Sequence, residues 1–234
     1  MVIVAHPDDA EFGAAGTVAT WASEGWTIYY VVCTDASGGG PDDATDISVE
    51  AREAMTETRK REQRAACDIL GVKDIIFLNY HDGLLQPTLE LRRDLVRLIR
   101  QYRPSRVIFQ SPDRVWEPSY SIGRHHPDHL AAGQASIAAI YPAAQNPWDF
   151  PELLIEGLQP HKVREIFVMG APTSNYVVDI TANMERKMAA LRAHTSQLSE
   201  KWEYVEKMIR DRSSEVGSKN GMTYAEEFHR AENP

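Results

Sequence analysis

The pentapeptide Ala5-His6-Pro7-Asp8-Asp9 sets one imidazole and two carboxylates directly after Met1 to Val4, an apolar run that reads as a buried strand. Burying such groups without partners is costly, so a strand tip that carries them calls for a cation, a partner or water. A second cluster, His125-His126-Pro127-Asp128-His129, follows about 120 residues later. One His-Pro-Asp alone is commonly a turn, in which proline fixes φ and aspartate bonds local backbone. Two in one chain point to a single metal site assembled by folding. With His6, Asp9 and His129 as ligands, two imidazoles and one carboxylate leave at least one coordination position open. That is the pattern of a catalytic zinc site rather than a closed structural one. Such a site stays cationic, polarises a carbonyl and lowers the pKa of bound water toward ~7.

Asp8 is left over beside Asp9. Neighbouring side chains diverge in a strand-end loop, so Asp8 is the candidate general base. His126 lies one turn from His129 if the segment is helical. It is the candidate to stabilise an oxyanion as an imidazolium, or to give a proton to the leaving group. Asp128 is expected to orient His126, as a carboxylate behind an imidazole does. His125 is expected to face solvent, and His81, His161 and His229 read as ordinary histidines.

These groups need a frame. Thr27 to Thr34 is β-branched and aromatic, a central strand. Phe12 to Glu24 reads as a helix closed by Gly25, and Ser48 to Leu70 as a helix stopped by Gly71. Ile75 to Leu78 is a short strand. Leu91, Leu95, Leu98 and Tyr102 form a helical stripe after Pro87-Thr88. Arg106 to Gln110 is a strand, Pro127 to Ile140 a helix, and Glu165 to Met169 and Tyr176 to Ile180 late strands. Met184, Met188 and Leu191 mark a last core-facing helix. Residues 1–195 form the expected core of one domain spanning 1–234, and 196–234 an outer helical extension. Alternating strands and helices predict an α/β, Rossmann-like, doubly wound and mostly parallel sheet with helices on both faces. Ligands of such sheets bind beyond the carboxyl ends of the strands, which puts both clusters on one rim. Three further segments are candidate site elements. They are the Ser37-Gly38-Gly39-Gly40 loop as a lid or a flexible connection, the 111–125 loop, and the Pro-rich 141–164 stretch as an excursion or a wall. Trp116, Tyr120, Trp148 and Phe150 are candidates to stack on a ligand ring.

The 234 residues include 43% apolar ones, enough for a substantial core. A net charge of −9 argues against nucleic acid or an anionic membrane as partner. No run approaches the ~20 apolar residues of a membrane span. Met1 leads straight into a strand, without a signal-peptide pattern. Cys33 and Cys67 are far apart and read as reduced, partly buried thiols. The expectation is a cytoplasmic protein.

Residues 5–13 (Ala5-His6-Pro7-Asp8-Asp9-Ala10-Glu11-Phe12-Gly13), with Gly16-Thr17, resemble the opening motif of the LmbE-like, or PIG-L, N-deacetylases. His126-Pro127-Asp128-His129 resembles their second motif. Arg59-x-x-Glu62 with Leu70-Gly71-Val72, Asn79-Tyr80-His81-Asp82-Gly83, and His194-x-Ser196-Gln197 extend the similarity to about residue 200. The resemblance implies a Rossmann-like fold, one Zn²⁺ and hydrolysis of an N-acyl group from an N-acetylglucosamine-type substrate. It also implies a homo-oligomer. Within it, His6, Asp9 and His129 match the metal ligands, Asp8 the base, His126 the stabilising imidazole and Arg59 a substrate-binding arginine. The same ligands accept Fe²⁺ or Co²⁺.

Three other readings remain at this level. His6, Asp8 and a distant histidine could form the facial triad of a non-haem Fe(II) enzyme. Gly13 and Gly16 lie where a nucleotide fingerprint would, but with the wrong spacing and beside three carboxylates. The metal could also be structural in a non-catalytic carbohydrate-binding protein. A spare acid and base beside an open metal position argue against that.

Overall fold

The computed structural model describes residues 1–41, 43–116 and 125–234. The chain begins with β1 (Val2–Val4), α1 (Asp9–Ser23), β2 (Tyr29–Thr34), α2 (Val49–Leu70), β3 (Asp74–Tyr80) and α3 (Leu89–Tyr102). It continues through β4 (Arg106–Gln110), α4 (Pro127–Ala138), the short α5 (Pro151–Ile155), β5 (Glu165–Met169) and β6 (Tyr176–Asp179). It ends with α6 (Met184–Arg192), the one-turn α7 (Thr195–Leu198), α8 (Trp202–Lys219) and β7 (Ala225–Glu232). The helix signals act as their chemistry demands. Ser48 and Thr88 accept hydrogen bonds from the N–H groups of Ala51 and Leu91 and so cap α2 and α3. Gly71 ends α2 at φ +77°, a conformation that glycine adopts without a Cβ penalty.

Seven strands form one sheet among the described residues, in the order β3-β2-β1-β4-β5-β7-β6. The first five run parallel, and β7 is antiparallel to both β5 and β6. The expected doubly wound α/β class is therefore the observed one. One face buries Val2, Val4, Tyr30 and Val32 against α1, α2, α6 and α8. The other buries Ile3, Val31, Val107 and Phe109 against α3 and α4. Each such aliphatic or aromatic side chain contributes roughly 1.5–3 kcal/mol when fully removed from water. Cys33 and Cys67 are free thiols, both buried.

Residues 196–234, expected as an outer helical extension, contain α8, whose Val205 and Ile209 join the core, and a strand over 225–232. Those residues are β7, inserted between β5 and β6. The strand is charged, Ala-Glu-Glu-Phe-His-Arg-Ala-Glu, and its polar residues hid it. Glu226 explains part of that polarity. Its carboxylate accepts from the N–H groups of Gly16 and Thr17 in α1, from the Thr17 hydroxyl, and from Lys187 Nζ of α6 at 2.6 Å. Lys187 also donates to Phe12 O. An ion pair from two later elements thus joins the backbone of the first helix.

Strand order places the site. The chain winds outward from β1 through β2 to β3, then returns to lay β4 on the other side of β1. The gap between β1 and β4 is the reversal point, where open α/β sheets bind ligands. The first cluster leaves β1 directly. The second begins α4, after β4 and the connecting loop.

Candidate active site

Ala5 is pinned on both sides, which fixes where His6 begins. Its N–H donates to Gln110 Oε1 of β4 at 2.9 Å, and its carbonyl accepts from the N–H and hydroxyl of Thr34 in β2. The chain then turns at Pro7 and Asp8 into α1, with Asp8 as the N-cap at φ +78°. Proline at N1 starts α4, so His126 caps that helix and His129 sits in its first turn.

Folding brings these residues together. Asp9 Oδ2 lies 3.5 Å from His6 Nδ1, and Asp9 Oδ1 lies 3.0 Å from His129 Nε2. Donors ~2.0–2.1 Å from a tetrahedral zinc stand ~3.4 Å apart, close to the two Asp9 contacts, which use one carboxylate oxygen each. Ring nitrogens of His6, His126 and His129 lie within 4.8 Å of one another. The surroundings favour positive charge. Burial works against a charged His6, yet Asp128, Asp82 and Asp9 hold its imidazole well above the usual range. Burial likewise opposes ionised Asp9, but His129 and His6 keep its carboxyl well below the ordinary value.

His6 Nε2 faces away from Asp9 toward two carboxylates, Asp82 Oδ1 at 3.0 Å and Asp128 Oδ2 at 3.1 Å. A metal-binding imidazole needs such a partner on its other nitrogen, which fixes the tautomer and raises basicity. This corrects the expected role of Asp128. Its carboxylate accepts from His6 and from the N–H groups of Gly83 and Leu85, and does not orient His126. The reason is local: Asp128 points inward from the first turn of α4 and is fully buried, with His126 on the capping position before it. Asp82 belongs to the short Asn79–Gly83 motif but drew no role in the sequence. Its other oxygen accepts from Gly38 N–H and so ties the Gly38-Gly39 loop to the site.

His126 Nδ1 accepts the Asp128 N–H at 3.2 Å, which leaves the proton on Nε2. Burial, then the charges of His6 and His129, lower its pKa. Burial and the neighbouring charges thus work against an imidazolium at His126. His125 is buried rather than solvent-facing, with Nε2 against the backbone of Val115.

Asp8 stands apart from the ligand set. Arg59 Nη2 lies 3.0 Å from Asp8 Oδ2 and 2.8 Å from Pro7 O, and Arg59 is itself buried. Burial pushes the Asp8 carboxyl up to about 6, against the pull of Arg59. Arg59 is thus neither an exposed helix charge nor paired with Glu57 or Glu62. It braces the base.

A cleft of about 260 Å³ opens on the cluster through Asp9 and His129. Ser111, Asp113 and His125 of the 111–125 loop line it, and the 141–164 stretch does not. Met169 at the end of β5, Gly170 after it, Met208, Ile209 and Arg212 of α8, and Glu227 of β7 line it too. The 141–164 stretch instead packs over α3, where buried Arg100 donates to the carbonyls of Ala143, Ala144, Asn146 and Asp149. Trp148 is exposed and Phe150 packs on the core, and neither lines the cleft. Pro118 and Tyr120 of the 111–125 loop lie outside the described residues, and Trp116 is exposed.

Comparison with known proteins agrees with this geometry. The family model "PIG-L: GlcNAc-PI de-N-acetylase" matches residues 1–140. A diacetylchitobiose deacetylase of Thermococcus kodakarensis is 35% identical over 227 residues, covering 97% of this chain and 80% of that protein. A probable N-acetyl-alpha-D-glucosaminyl L-malate deacetylase 2 of Bacillus cereus is 28% identical, covering 95% and 91%. The crystal structure of the N,N'-diacetylchitobiose deacetylase from Pyrococcus horikoshii, complexed with an inhibitor, superposes with a TM-score of 0.87. It is 32% identical and covers 99% of this chain and 82% of that one. With both His-Pro-Asp clusters joined at the β1/β4 reversal point and a family match over residues 1–140, the chain belongs to the PIG-L, or LmbE-like, family.

Proposed function

We propose that this chain removes the acetyl group from the nitrogen of a small acetamido sugar, using a divalent cation held by His6, Asp9 and His129, with zinc as that cation. The observation that carries this reading is Asp9 set between two imidazoles while its neighbour Asp8 is turned away and held by Arg59. A divalent cation there would supply Lewis acidity, polarising the acyl carbonyl and acidifying water. Asp8 takes the proton of the attacking water. His126 donates from Nε2 to the acyl oxygen as the carbonyl carbon becomes tetrahedral. The C–N bond then breaks, and protonated Asp8 returns its proton to the departing nitrogen, giving acetate and a free amine. Arg59 acts through Asp8 by holding the carboxylate in place. Both of its bonds use Nη2, and Nε is buried without a hydrogen-bond partner among the described residues. The same contact disfavours the Fe(II) reading, because the carboxylate that reading needs as a ligand is committed to Arg59.

The relatives are named as deacetylases of N-acetylglucosaminyl compounds and diacetylchitobiose, which makes such sugars the first substrates to test. Zinc-loaded protein is expected to release acetate and primary amine in equal amounts from diacetylchitobiose or an N-acetylglucosaminyl conjugate. A chelator is expected to stop the release. Tight sugar binding without any acetate release would instead support the carbohydrate-binding alternative.

A further inference from the structure

Asp8 carries a positive φ on a residue with a Cβ, a conformation that costs roughly 1–2 kcal/mol and needs outside support. Part of that support comes from the far side of the loop, away from the cleft. The Asp8 N–H donates to Gln63 Oε1 of α2 at 2.9 Å. Gln63 Nε2 donates in turn to Glu11 Oε1 at 3.0 Å. The other Glu11 oxygen lies 3.3 Å from His194 Nε2, in contact but off the line of a hydrogen bond. Gln63, Glu11 and His194 are each fully buried.

The amide of Gln63 can sit only one way round. An N–H group on one side requires its oxygen, and a carboxylate on the other requires its nitrogen. Asp9, the next residue, is fixed separately, because its Oδ2 accepts the His6 N–H at 2.7 Å. The two adjacent carboxylates are therefore anchored from different directions, one by α2 and one by its own loop.

We infer that Gln63 is a positioning residue for the reaction: its amide, oriented by Glu11, holds Asp8 in the left-handed conformation that turns the base away from the ligand Asp9. This rests on the proposed role of Asp8. Without Gln63 the peptide between Pro7 and Asp8 loses the partner of its N–H and keeps only the Arg59 bond to its carbonyl. Arg59 then holds the Pro7 carbonyl and the Asp8 carboxylate through the single nitrogen Nη2, and nothing holds the N–H side that sets the φ of Asp8. Misplacement of a reacting group by about 1 Å costs on the order of 10²-fold in rate.

The test uses metal-loaded protein and three variants. Gln63→Leu is expected to lower kcat about 10²-fold, with KM within about twofold and bound metal unchanged. Gln63→Glu sets a second carboxylate against Glu11 and is expected to lose at least as much. The swap Gln63→Glu/Glu11→Gln restores an acceptor for Asp8 and a donor facing it, and is expected to regain at least ~10-fold of the lost kcat. A crystal structure of metal-bound Gln63→Leu is expected to show Asp8 moved out of positive φ. Asp8 unmoved with kcat within about twofold of wild type would overturn the inference, as would a swap no better than Gln63→Glu. Wild-type protein inactive on every acetamide would defeat the proposed reaction instead, and the φ of Asp8 in the variant would still decide the role of Gln63.

Discussion

Asp8→Ala is expected to lower kcat by about 10²–10⁴-fold, the usual worth of a positioned general acid–base group, with little change in KM. The whole proton path depends on this carboxylate, which accepts the water's proton and returns it to the amine. Removing it leaves Asp9 in contact with both His6 and His129, so ground-state binding survives. In the wild type the base must be ionised. Burial raises the Asp8 carboxyl to about 6, and a cation on Asp9 pulls it down, so activity is lost as pH falls through a limb at or below about 6. That limb disappears in Asp8→Ala. Steady-state kinetics across pH on both proteins checks it, and a variant retaining a tenth or more of wild-type kcat would contradict the assignment.

The second large effect concerns stability. Lys187 is 2% exposed and bonds Glu226 and Phe12 O, while Glu226 holds Gly16 and Thr17. Lys187→Met leaves a buried carboxylate without its cation, a loss of about 3–5 kcal/mol. For a chain of this size that lowers Tm by roughly 10 °C. Lys187→Met/Glu226→Gln removes the stranded charge and keeps an acceptor for α1, so it is expected to recover much of the loss. Calorimetry on the two variants checks both statements. Equal Tm values for the single and double variants would mean that the stranded charge is not the cause.

The same pair shows what the sequence made legible. Met184, Met188 and Leu191 mark the core face of α6, and Lys187 falls on that face by spacing. A lysine is normally read as solvated, so its burial could be found only with its partner, and that partner sits in a strand hidden by its own charges. The parallel core was readable because β1, β2, β4 and β5 carry buried apolar runs in sequence. His6, Asp9 and His129 were singled out by type and order alone, and the fold brings the three into contact. The supporting carboxylate for His6 was not. Asp128 and Asp82 reach it from α4 and from the turn after β3, and no local pattern says which imidazole an aspartate will face. The wall of the cleft was misplaced for a related reason. Aromatic, Pro-rich residues 141–164 look like a binding surface, but they cover α3, while the plainer α8 turns Met208 and Ile209 toward the site.

The division of labour between neighbours Asp8 and Asp9 is the claim on which the rest depends, and bound metal measures it directly. Zinc content after exhaustive dialysis should stay near one per chain in Asp8→Ala, with acetate release abolished, and should collapse in Asp9→Ala and His129→Ala. Equal zinc loss in Asp8→Ala and His129→Ala would contradict the account, because Asp8 would then be a ligand and not the base.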